Sequence, residues 1–170
     1  IVTVLRPTRQ LDAQQGIDEL ERLKKGGCHP TEGCLDGHPF EGSKFDYLAA
    51  NVTRKADGQT VFPSYVIREF EGVKVGFIGL TLEGTPQIVD PSGISSLDFA
   101  DEVETINRAA KELQDQGIQA MIVLIHEGGV PASRDNPDGC DGISGPIVEI
   151  VQSTSKAVDI FITGHTHQAY

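Results

Sequence analysis

Ile118 to Ile125 (IQAMIVLI) is an almost unbroken apolar run, and it constrains the fold more than any other stretch. It lacks the alternation of a half-solvated strand. It reads as a central strand of a parallel sheet, covered on both faces. A parallel neighbour requires a crossover, usually a helix. The flanks supply two. Asp98 to Gln116 places Val103, Ile106, Ala110 and Leu113 on one face, with acidic residues in its first turn and Gly117 as its stop. Ile143 to Ser155 places Ile147, Ile150 and Val151 on one side, and Val158 to Thr163 (VDIFIT) follows as the next strand. The second half therefore predicts an α/β fold, a layered sheet with crossover helices.

The first half is less regular. Ile1 to Leu5 reads as a buried strand, broken by Arg6-Pro7-Thr8-Arg9. Asp12 stands where a helix N-cap would, and Ile17, Leu20 and Leu23 form one stripe up to Gly26-Gly27. Cys28 to Ser43 is loop. Phe45 to Val52, Val61 to Phe70 and Val73 to Leu80 read as strands, the last two joined through Glu71-Gly72, a hairpin signal. Thr81 to Ser96 and Glu127 to Gly142 are loops. Asn51 reads as a strand-end turn residue, and Asp135, Asp138 and Asp141 as a solvated acidic loop that fits no EF-hand. Residues 1–170 are read as one domain, and a chain that opens inside a strand is expected to be incomplete at its N-terminal side.

Chemistry is expected where two apolar strands end. His126 follows IQAMIVLI, and Gly164-His165-Thr166-His167 follows VDIFIT. In open α/β sheets, sites form at the carboxyl ends of the strands. The two strands are one crossover unit apart, so they are expected to be neighbours and to bring three imidazoles to one rim. Imidazole is the commonest transition-metal ligand near neutral pH. Two rings spaced as in His-Thr-His could ligate one metal or straddle two.

On FDYLAANV, VKVGFIGLT, IVLIHEGG and VDIFITGHTH, the stretch from Phe45 to Tyr170 resembles the calcineurin-like metallophosphoesterase superfamily, in its extracytoplasmic 5'-nucleotidase and cyclic phosphodiesterase branch. The resemblance implies a two-metal phosphohydrolase (zinc, manganese, magnesium or calcium) in which a metal-activated water attacks phosphorus. His126 and His165 would ligate one metal and His167 its neighbour. The substrate would be a nucleotide or another small phosphate ester. The family's Asp-x-His and Gly-Asp ligands would lie upstream of Ile1. Its Gly-Asn-His-Glu turn falls on Pro7-Thr8-Arg9-Gln10, so Thr8 stands for the metal-bridging Asn and Arg9 for the His that stabilises the leaving group. Thr is a weaker ligand than an Asn carbonyl, and Arg cannot act as a general acid. Weak or partial metal binding and an incomplete site are therefore expected of this chain, as is the absence of the family's C-terminal nucleotide-binding domain. The alternative is a degenerate, non-catalytic binding domain of the same fold.

Cys28 and Cys34 are close enough in a Gly- and Pro-rich loop for a disulfide, which would imply an oxidising compartment. Free thiols, or a zinc site using Cys28, His29, Cys34 and His38, are the other readings. Cys140 is left over, either a lone buried thiol or one whose partner lies beyond Tyr170. The net charge of −11 argues against nucleic acid or an anionic membrane as partner. No apolar run reaches the ~18 residues of a membrane span.

Overall fold

The computed structural model describes residues 13–133 and 139–170, with side chains from residue 16 onward. The Ile1–Leu5 strand, the Asp12 cap, Thr8 and Arg9 and the loop aspartates Asp135 and Asp138 lie outside the described residues.

Two apolar clusters organise the chain. The first helix, α1 (Ala13–Lys25), buries Ile17 and Leu20 against Tyr47, Val61, Phe62 and Leu97. These residues cover a small antiparallel pair, β1 (Val52–Arg54) with β4 (Leu97–Phe99). Tyr47 meets Phe62 edge to face at 5.3 Å, a favoured aromatic geometry.

The second cluster belongs to a four-stranded sheet in the order β2-β3-β5-β6. Its strands are β2 (Tyr65–Phe70), β3 (Val73–Leu80), β5 (Ala120–Ile125) and β6 (Ile160–Ile162). The β2–β3 pair is an antiparallel hairpin, and β3, β5 and β6 run parallel. One face carries Ile78, Leu80, Met121, Val123 and Ile125. Onto it pack α2 (Glu102–Asp115) through Ile106, Ala110 and Leu113, and α3 (Pro146–Ser153) through Ile147 and Ile150. Asn107 ties the helices together, accepting from Ser155 N at 2.7 Å.

The α/β architecture and the β5–β6 neighbourhood agree with the sequence reading. Several details do not. Phe45–Val52 is buried at Tyr47 to Ala50 but is not a strand. Its amides bond to different segments, Ala49 N to Pro63 O and Ala50 N to Gly79 O, so no continuous ladder forms. The Val61–Phe70 strand begins only at Tyr65, because Pro63 has no amide to offer a ladder. Leu97–Phe99, expected as loop and helix start, is strand β4. The helix begins at Glu102, where the Asp101 carboxylate accepts from Glu104 N at 2.7 Å and forms the N-cap.

Among the described residues, the edge strand β6 is not covered on both faces. Among the described residues, the face carrying Ile122, Leu124, Ile160 and Ile162 has only partial cover. Ile160 and Ile162 are 50% and 54% exposed.

Candidate functional site

The carboxyl ends of β3, β5 and β6 lie side by side, and the chain after each is fastened to its neighbour. His126 N donates to Leu80 O at 3.2 Å, extending the β3–β5 ladder by one residue. Asn51 fixes the end of β3. It is fully buried, its amide nitrogen donates to Thr81 O at 2.8 Å, and its carbonyl accepts from Thr81 N at 3.0 Å. Both polar ends of Asn51 are used, as expected of a turn residue rather than a ligand.

The His126 and Gly164–Tyr170 segments touch along their length. Gly164 N donates to Glu127 O at 3.1 Å. Thr166 Oγ1 donates to Gly129 O at 2.8 Å. The approach is close enough that a side chain at Gly128 is not tolerated. A Cβ there would lie 2.2 Å from Gly164 O, well inside contact distance.

This brings two of the three candidate imidazoles together. His165 Nδ1 and His126 Nε2 are 3.4 Å apart, and the rings meet edge to face at 5.1 Å. His126 is half-buried and His165 exposed. His167, also exposed, is two residues on in the same loop. Among the described residues, no group of three or more His, Cys, Asp or Glu side chains is placed to hold a metal ion. Of the three imidazoles expected at this rim, His126 and His165 form the close pair, and His167 lies two residues on in the loop after β6. His165 and His167 both have positive φ, 68° and 56°.

The pair itself has the spacing of two ligands. Imidazole nitrogens bound tetrahedrally to one zinc at ~2.0–2.1 Å stand roughly 3.3–3.4 Å apart. Two neutral rings supply part of one coordination sphere and none of the negative charge that a two-cation cage requires.

Two buried carboxyls at this end of the sheet did not stand out in the sequence. Glu127, beside His126, is buried and accepts from Gly128 N at 2.8 Å. Glu102, in the first turn of α2, accepts from Glu83 N at 2.7 Å in the loop after β3. Burial pushes the Glu102 carboxyl up to about 7. The nearby Glu83 carboxyl adds to the rise, and backbone amide donors oppose it. Neither was signalled because each looks like an ordinary loop or first-turn acid.

Cys28 and Cys34 form a disulfide with Cα atoms 4.8 Å apart. This removes the zinc reading of that loop. His29 Nδ1 there accepts from Glu32 N at 3.1 Å. Cys140 is free and exposed, not a buried thiol.

No family model matches the chain. It is 33% identical over 91% of its length to endonuclease YhcR of Bacillus subtilis, and 30% identical over 91% to the cell wall protein Lmo0130 of Listeria monocytogenes. It is 28% identical over 75% of its length to a 5'-nucleotidase of Vibrio cholerae. It spans 12%, 21% and 23% of those three proteins. The fold matches that of the calcineurin-like phosphoesterase YfkN of Bacillus subtilis, with a TM-score of 0.59 over 75% of this chain and 39% of the other, at 24% identity.

Proposed function

Because the relatives and structural neighbours of this chain include a 5'-nucleotidase and a calcineurin-like phosphoesterase, we propose that it carries part of the catalytic site of a phosphoric ester hydrolase acting on nucleotides or similar small phosphate esters. The observation that carries the reading is the His126–His165 pair. Residues 39 apart in sequence are brought to one rim by the parallel β5–β6 pairing, with the nitrogen spacing of a shared cation. His126 and His165 would hold one divalent ion, zinc, manganese, magnesium or calcium, and His167 would face a neighbouring one. A cation bound there would polarise a phosphoryl oxygen and lower the pKa of bound water. Its carboxylate ligands would come from outside the described residues, so residues 1–170 are proposed as one partial catalytic domain, binding metal weakly and hydrolysing poorly alone. The Cys28–Cys34 disulfide supports an extracytoplasmic location.

The test is calorimetric titration of the chain with zinc and with manganese, beside His126→Ala and His165→Ala variants. Weak uptake of about one ion is expected, lost in both variants. The absence of metal-dependent heat in the parent would overturn the reading. It would leave the second one, a non-catalytic relative of the same fold, which the lack of a three-ligand group among the described residues favours. A parallel assay on nucleoside monophosphates is expected to show little turnover.

A further inference from the structure

Both peptide groups of Gly129 are claimed by the loop that carries His165 and His167. Its carbonyl accepts from Thr166 Oγ1 at 2.8 Å, and its amide donates to the Tyr170 hydroxyl at 3.1 Å. That hydroxyl in turn lies 2.7 Å from Thr163 Oγ1. Having accepted from Gly129, the phenol can still donate to Thr163 or accept from it. Thr166 and Tyr170 thus pin the loop, within and after the His-Thr-His sequence, to the segment that follows His126, and Tyr170 ties back to Thr163 before it.

The histidines between these pins are held in an unfavourable conformation. Thr166 N donates to Gly164 O at 2.8 Å, which closes a three-residue turn with His165 at its apex and φ of 68°. This is the rarer, strained hand of γ-turn. His167 follows with φ of 56°. A left-handed non-glycine residue is strained and persists only when its surroundings over-determine it. The hydrogen bonds of Thr166 and Tyr170 are the surroundings that do so.

We propose that Thr166 and Tyr170 are positioning residues. Their hydroxyls, anchored on Gly129, hold His165 and His167 left-handed and so set the His165 ring against His126. Both hydroxyls meet the Gly129 backbone, and each acts through it. The functional consequence rests on the reading of His126 and His165 as a cation-binding pair, but the conformational claim does not.

The test uses Tyr170→Phe and Thr166→Val, which keep shape and remove the hydroxyl, with Thr166→Ser as the conservative control. By NMR, the first two are expected to speed Gly129 amide exchange or shift the backbone signals of His165 and His167 out of the left-handed range. Thr166→Ser should leave both unchanged. In zinc titrations, Tyr170→Phe and Thr166→Val should weaken uptake about 5- to 10-fold, the worth of roughly one hydrogen bond, with thermal melting close to the parent's. Thr166→Ser should stay within about twofold of the parent. Unchanged histidine backbone signals in both hydroxyl-deleting variants would overturn the proposal. So would displaced signals with undiminished zinc affinity. A parent that takes up no zinc would remove only the functional reading, and the NMR comparison would still decide the conformational one.

Discussion

Glu102 shows how a single residue can couple this rim to pH. It is 7% exposed and accepts from Glu83 N, and its carboxyl is raised to about 7, chiefly by burial. The folded protein therefore holds a proton on Glu102 that the unfolded chain releases nearer the ordinary value of 4.5. More protons bound in the folded state means that stability falls as pH rises. The contribution is complete below about pH 4.5 and is lost as pH climbs through about 7. Its size is at most about 3 kcal/mol. Glu102→Gln keeps the shape without the titration. Urea midpoints at pH 5 and pH 8 are expected to differ less in the variant than in the parent, and equal differences would refute the assignment. This behaviour was not legible in the sequence, where an acid in the first turn of a helix suggests a solvated charge near the helix dipole. The candidate histidines were legible, because each follows an apolar run directly. Their left-handed backbone was not, since Thr166 and Tyr170 impose it through contacts with a loop far away in sequence.

At the scale of elements, local chemistry decided what could be foreseen. The β2–β3 hairpin was announced by Glu71-Gly72, and the structure gives both residues positive φ, 51° and 85°, the pattern of a type I′ turn. Gly72 suits that conformation and Glu71 does not. Glu71→Asn is expected to stabilise the chain by about 0.5 to 1 kcal/mol, since Asn tolerates the left-handed region better. Thermal or urea unfolding reads this directly, and a lowered midpoint would show that Glu71 makes a compensating contact. The same local logic failed for Phe45–Val52, whose apolar content marks burial but not pairing. A strand needs a partner edge in register, and here the amides of Ala49 and Ala50 go to two different segments. It failed again at Leu97–Phe99. Three residues paired with Val52–Arg54 across a long loop carry no periodicity to detect.

At the scale of the molecule, the parallel sheet poses an unresolved energetic problem on its outer face. Its inner face is sealed by α2 and α3, but Ile160 and Ile162 remain half exposed beside Ile122 and Leu124 in register. A sheet of this kind is normally buried on both sides. Apolar area left in water forfeits roughly 25 cal/mol per Å². The net charge of −11 opposes association of copies through that face at low salt, and the repulsion is screened beyond ~3 Å at 1 M salt. The isolated chain is therefore expected to bind the dye ANS and to scatter more light as salt is raised. Replacing both Ile160 and Ile162 by Thr keeps β-branching and should lower both signals. Each change should cost less than about 1 kcal/mol in folding stability, because half-exposed side chains lose little transfer energy. Dye fluorescence as strong in the double variant as in the parent would show that the exposed apolar surface lies elsewhere.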